Sequence, residues 1–173
     1  MPVTIRRLLQ HDPGLIAGLC ALLQDSVHGG ASVGFMAPLA WAEAEDYWQN
    51  VFAQLGPQLC LWVAEDADQV VGAVQLAPCL KPNGRHRAEL QKLLVHSAHR
   101  GLGLARQLLD AAEAAARSSG LTLLVLDTLQ GSAAESIYPR LGWSRVGAVP
   151  NYAQSPFGGL HPTVFFYKQL AAP

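Results

Sequence analysis

The sequence predicts an α/β (α+β) fold built on one mixed sheet with helices over its faces. Short apolar runs of strand length alternate with leucine and alanine stripes at helical spacing. Only one strand–helix–strand unit, from Leu90 to Asp127, sits among segments that read as hairpins, so parallel and antiparallel pairing must coexist. Half of the residues are hydrophobic and 14% are charged, which excludes a disordered chain.

In chain order, Val3–Leu8 alternates branched and polar residues and reads as a first strand. Asp12-Pro13 reads as cap and first position of a helix whose stripe, Leu15, Leu19, Leu22 and Leu23, lasts to about Val27. A glycine-bearing loop, His28–Met36, leads to a second helix expected from Pro38, with Trp41, Ala44, Glu45, Trp48 and Phe52 on one face, ended by Gly56-Pro57. Leu59–Glu65 and Val70–Ala77 form a hairpin about Asp66-Ala67-Asp68-Gln69. After a turn over Pro78–His86, Leu90–Val95 is a buried strand and Leu104–Ala116 a helix, closed by Ser118-Ser119-Gly120. Leu121–Asp127 is the most apolar strand, expected to be buried on both faces. A short helix over Ser132–Arg140, a strand over Trp143–Val149, an irregular stretch over Pro150–Leu160 and a last strand over Pro162–Leu170 complete about seven strands and about four helices.

With 173 residues and no interdomain linker, residues 1–173 are expected to form a single domain. The net charge of −1 gives no electrostatic footprint for nucleic acid or an anionic membrane. No apolar run reaches the length of a membrane span, and Met1–Arg7 lacks the apolar centre of a secretion leader. Cys20, Cys60 and Cys79 form no CxxC pair, and an odd count favours reduced thiols and a cytoplasmic address. No spaced histidine–carboxylate cluster suggests a metal.

The chain is organised around Glu89–Leu109. Between its strand and its helix lies Arg100-Gly101-Leu102-Gly103-Leu104-Ala105, where side chains are sparse just as the helix begins. Unpaired N–H groups and a partial positive charge make such a helix start a seat for pyrophosphate. The alternative is an ordinary strand-to-helix turn whose glycines only relieve crowding.

This segment resembles the Arg/Gln-x-x-Gly-x-Gly/Ala motif of the GNAT superfamily of N-acetyltransferases, and Tyr138-Pro139-Arg140-Leu141-Gly142-Trp143 is similar to that family's Tyr-x-x-x-Gly-Phe signature. The resemblance covers nearly the whole chain. It implies the GNAT fold with splayed central strands, acetyl-CoA (coenzyme A) as cofactor, and direct acetyl transfer to an amine. His28–Met36, Lys81-Pro82-Asn83-Gly84 with Arg87-Ala88-Glu89, and Leu160-His161-Pro162-Thr163 look like the family's tabtoxin-resistance branch. That likeness implies a small amino-acid-like acceptor, tabtoxinine-β-lactam or a related toxin or antibiotic, and a role in resistance or self-protection.

By resemblance, Leu93, Leu94 and Val95 line the pantetheine arm, and a backbone N–H near Leu94 or Val95 polarises the thioester. Arg100, Gly101, Leu102, Gly103, Leu104, Ala105 and Arg106 hold the pyrophosphate. Many relatives carry an asparagine seven residues before the tyrosine; this chain has Gly131 there, leaving Ser132 or Ser136 as substitutes. Glu89 and Asp127 are candidate general bases, either alone or through water, because carboxylates beside apolar walls gain basicity. Their alternatives are a salt bridge from Glu89 to Arg87 or Lys92, and a turn cap for Asp127. Tyr138 is the candidate acid for the departing thiolate, its alternative being an aromatic packed on the sheet. Pro139 implies that Tyr138 ends a regular turn or sits at a kink. The substrate wall is assigned to His28, Gly29, Gly30, Ala31, Ser32 and Phe35, with His161 and Asn151 as further candidates.

A lysine side chain or protein N-terminus as acceptor, and a non-catalytic acyl-CoA sensor, are the competing readings. Val164, Phe165, Phe166 and Tyr167 in the last strand either fill the core of a monomer or build a homodimer face.

Overall fold

The computed structural model describes residues 3–171. Met1 and Pro2, part of the stretch read as lacking a leader, lie outside the described residues with Ala172 and Pro173. The strands are β1 (Thr4–Leu8), β2 (Cys60–Asp66), β3 (Gln69–Pro78), β4 (Arg87–Val95), β5 (Leu123–Leu129), β6 (Ser144–Ser155) and β7 (Gly158–Gln169). The helices are α1 (Ile16–His28), α2 (Trp41–Ala53), α3 (Leu104–Ser118) and α4 (Ile137–Arg140). The strands form one mixed sheet in the order β1-β2-β3-β4-β5-β7-β6, with β4–β5 its parallel pair.

Strand alternation sends side chains to two cores. Leu61 and Val63 face α1 and α2, where Leu19, Leu22, Leu23, Trp48 and Phe52 are buried. Trp62 and Ala64 face α3, packing with Leu104, Leu108, Leu109, Ala112 and Ala116. Val164 and Phe166 of β7 are buried in the α3-side core, while Tyr167 is exposed. Glu113 of α3 is almost wholly buried between Lys168 of β7 and Arg117.

Three expectations are corrected. The second helix begins at Trp41 rather than Pro38, because both backbone groups of Leu39 are held by side chains of α1: its N–H donates to His28 Nε2 at 3.0 Å and its C=O accepts from Gln24 Nε2 at 2.8 Å. The short helix contracts from Ser132–Arg140 to Ile137–Arg140. Pro139 has no N–H for the carbonyl four residues earlier, so Ser132–Ser136 forms turns instead. Pro150–Leu160 is not irregular: β6 runs on to Ser155 and β7 starts at Gly158, with register shifts and Asn151 at φ +52° absorbing the misfit.

Candidate active site

The sheet opens at its centre. β4 and β5 pair only where Arg87, Ala88 and Glu89 face Leu123, Leu124 and Val125. Beyond that point β4 stays with β3 as far as Val95, while β5 follows β7 as far as Leu129. Among the described residues, the separation leaves the β5-facing backbone edge of Gln91–Val95 without a strand partner.

A bulge lies on this edge. Ala73 faces Leu94 and Gln75 faces Gln91, so Lys92 and Leu93 together oppose Val74 alone, with Lys92 at φ +50°. The extra residue switches the alternation. Ala88 and Leu90 point to the α3 side before the bulge, and Leu93 and Val95 do so after it. Lys92 is thereby turned to the α1–α2 side, shared by Glu89 and Leu94, and its Nζ lies 5.8 Å from the centre of the Tyr47 ring. Burial pulls the ammonium pKa down, while Glu89 and Asp127 hold it up through space.

The carboxylates share that side. Val125 is the partner of Glu89, and Asp127 follows two residues later, while Leu124 and Leu126 face the opposite core. Asp127 Oδ2 accepts from Thr163 Oγ1 at 3.0 Å, whereas Gly131 N–H is satisfied by Glu135 at 2.7 Å, so Asp127 is not that turn's cap. Among the described residues, Glu89 makes no ion pair within 4.0 Å with Arg87 or Lys92. Tyr138 stands on the α3 side, packed against Phe166 and Trp143 at ring separations of 5.4 and 6.0 Å. Burial first, then the negative charge of Asp127, pushes its phenol up to about 12. Tyr138 is therefore a packed aromatic whose phenol stays protonated at neutral pH.

Beyond the end of β4, Gly101 and Gly103 adopt φ +78° and +77°, and among the described residues no atom outside their immediate chain neighbours lies within 4 Å of where a Cβ would stand. Gly103 caps α3 without a side chain, and its C=O takes the N–H of Gln107. Among the described residues, the start of the helix is thus left without a side-chain cap. Leu102 is exposed and Leu104 buried. Arg100 folds back, its Nε donating to Val95 O at 3.3 Å, and Arg106 makes an exposed ion pair with Asp110 at 3.6 Å. Asp25 of α1 holds the preceding turn, accepting from Ser97 N at 2.8 Å and Ser97 Oγ at 2.6 Å.

The loop after α1 borders the opposite side. Gly34 lies beside Lys92 Nζ, and Phe35 stacks edge-on to Tyr47 at 5.2 Å. Tyr47 is fixed by Gln75, whose Nε2 donates to its hydroxyl at 2.8 Å, and burial pushes this phenol also up to about 12. The tip of the β6–β7 hairpin reaches the loop: Ala37 N–H donates to Pro156 O at 2.8 Å, and Gly30 lies against Phe157. Ala31 and Ser32 are half-buried within this loop. His28 is exposed and Gly29 sits at the end of α1 beside Asp25 O. His161 and Asn151 belong to the β6–β7 hairpin.

This geometry is that of a known family. The acetyltransferase (GNAT) family matches residues 20–143. Human N-acetyltransferase 8B is 31% identical over 99% of this chain and 85% of its own length. An uncharacterised N-acetyltransferase of Azospirillum brasilense is 33% identical over 84% of this chain and 88% of its own. The chain belongs to the GNAT acetyltransferase family. An N-acetyltransferase structure from Staphylococcus aureus superposes with a TM-score of 0.81 at 18% identity, covering 99% and 100% of the two chains. A Salmonella typhimurium structure, described as an acetyltransferase with its cofactor acetyl-CoA, gives 0.77 at 22% identity over 100% and 98%.

GNAT acetyltransferases use acetyl-CoA, and the residues fit it. Two glycines without obstructing neighbours sit at the start of α3, and an unpaired strand edge leads from there towards Tyr138, Glu89 and Asp127. Ser136 Oγ donates to Ala133 O at 2.8 Å and keeps acceptor capacity, and Ser132 Oγ accepts from Glu135 N–H at 3.3 Å and keeps its O–H. His28 Nε2 accepts from Leu39 N–H and so braces the loop, which leaves its Nδ1 as the nitrogen open to a ligand. Lys92, Tyr47, Gln75 and Asp25 escaped the sequence reading of the site. A lysine inside an apolar run was the available signal for Lys92.

Proposed function

We propose that this GNAT acetyltransferase transfers acetyl directly to the amine of a small amino-acid-like molecule. The observation that carries the reading is the contact between Ala37 and Pro156, which joins the loop after α1 to the β6–β7 tip across the acceptor side. A bridge there, with Phe35 and Tyr47 packed behind it, favours a compact acceptor over an extended peptide. The resemblance of His28–Met36, Lys81–Gly84 and Leu160–Thr163 to the tabtoxin-resistance branch supports testing tabtoxinine-β-lactam and related toxins, and a role in resistance or self-protection.

Bound acetyl-CoA supplies an activated acetyl thioester. Backbone N–H groups at Gly101–Ala105 hold its pyrophosphate, and the open edge at Leu93–Val95 holds its arm and polarises the carbonyl. Glu89 and Asp127 orient the acceptor ammonium and take its proton, directly or through water, leaving the neutral amine that attacks. Tyr138 returns a proton to the thiolate, a role suited to a phenol that stays protonated in neutral solution. An odd count of three cysteines without framework spacing supports a cytoplasmic setting.

Thiol release from acetyl-CoA, measured over free amino acids, tabtoxinine-β-lactam, lysine-bearing peptides and peptides with free N-termini, tests the proposal. Turnover concentrated in the small acceptors is expected. Turnover confined to peptides would overturn it, as would a lack of turnover throughout.

A further inference from the structure

Three charged side chains share one face of the sheet at the β4–β5 opening, acting on one another through space and not through a direct ion pair. The β4 bulge places Lys92 on the sheet face of Glu89, and β5 places Asp127 on that same face. Among the described residues Lys92 Nζ donates no hydrogen bond and has no carboxylate within 4.0 Å; the ring of Tyr47, at 5.8 Å, is its electrostatic neighbour. A half-buried ammonium whose three donors are unused can take a hydrogen-bonding anion, a contact that the carboxylates of Glu89 and Asp127 do not make directly. Gly34 borders the ammonium: a Cβ there would stand 3.9 Å from Nζ, in ordinary van der Waals contact.

Resting on the small-acceptor reading above, we infer that Lys92 is the specificity-determining residue for an acceptor carboxylate: its ammonium receives the carboxylate of an amino acid whose amine faces Glu89 and Asp127. The arrangement complements a zwitterion, two acids for the ammonium end and one base for the carboxylate end. Gln75 supports the pairing by fixing Tyr47 through its 2.8 Å hydrogen bond, which keeps the ring beneath Nζ. Burial pulls the lysine pKa down while Glu89 and Asp127 oppose that pull through space. A carboxamide or ester in place of the carboxylate would leave Lys92 unpaired in the complex, and sites built around one charged contact reject the analogue that lacks it.

The test compares free L-amino acids with their carboxamides, using thiol release from acetyl-CoA by the wild type, Lys92→Met and Lys92→Arg. Calorimetric acetyl-CoA binding verifies that each variant is folded. The wild type should favour acids over amides in kcat/KM by about 10- to 100-fold, the range of a charge-assisted hydrogen bond. Lys92→Met should collapse that ratio, mainly through the KM of the acid, and Lys92→Arg should restore much of it. Equal kcat/KM for acids and amides in the wild type, or a ratio unchanged in Lys92→Met, overturns the assignment while leaving the small-acceptor reading standing. If Lys92→Met fails to bind acetyl-CoA, the wild-type ratio and Lys92→Arg decide. Turnover of peptides alone overturns both.

Discussion

Lys168 of β7 and Glu113 of α3 form an ion pair of 2.8 Å in the interior, and the same ammonium donates to Leu141 O at 2.7 Å. The pair ties the glycine-seated helix to the sheet and to the segment carrying Tyr138. Glu113→Ala leaves Lys168 half-buried without its counter-charge, a change of about 3–5 kcal/mol when a buried pair is broken. Urea unfolding at pH 7 should show a loss of that size, and a loss below about 1 kcal/mol would mean that the pair contributes no more than a surface one.

Asp25 should matter for cofactor affinity although it lies outside the glycine motif. Burial pushes its carboxyl up, but the two Ser97 donors, with His96 and Arg100, hold it net below the ordinary range. A depressed folded pKa contributes stability above the unfolded value of about 3.9, and that contribution is lost as pH falls through the folded value. Asp25→Asn should weaken acetyl-CoA binding about 10-fold by releasing the turn before Arg100, corresponding to one charge-assisted hydrogen bond. In acid titrations of stability, the gap between wild type and variant should close below about pH 4.

Gly103→Ala tests the pyrophosphate seat directly. Open space surrounds the position, so the cost comes from φ +77° and not from a clash. An L-residue pays about 1–2 kcal/mol to hold that conformation. The α3 start should relax, and calorimetry should report about a 10-fold loss of acetyl-CoA affinity. An unchanged affinity would show that the N–H array does not depend on this backbone conformation.

Local signals carried the strand succession, the Gly101–Gly103 turn and Tyr138, because periodicity and glycine act within a few residues. The bulge at Lys92 left no such signal: Leu-Gln-Lys-Leu-Leu-Val reads as an uninterrupted strand until its pairing with β3 is known. Parity along β4 therefore could not be assigned, and Lys92 appeared only as an ion-pair partner. The β6–β7 hairpin was hidden for a similar reason. Pro150, Asn151 and Pro156-Phe157-Gly158 have turn chemistry, yet strand pairing tolerates the first two through register shifts and uses the last three as its tip. The start of α2 depended on His28 and Gln24 reaching Leu39, contacts that no window of the sequence contains.

Tyr47 and Tyr138 make the fold sensitive to alkali. Burial raises both phenols from 10.0 to about 12, for Tyr138 with help from Asp127. Below pH 10 both are neutral whether the chain is folded or unfolded, so nothing is lost. Between pH 10 and 12 the unfolded chain ionises first, and each phenol costs the native state roughly 2–3 kcal/mol at one unit per 1.36 kcal/mol. Stability from denaturant titrations should thus fall steeply over that window, and Tyr138→Phe should remove about half of the fall. The same substitution takes away the candidate acid. Its kcat should drop about 100-fold or more while acetyl-CoA affinity holds, since a positioned proton donor contributes to the barrier and not to ground-state binding. A kcat within threefold of wild type would leave Tyr138 as a packed aromatic only.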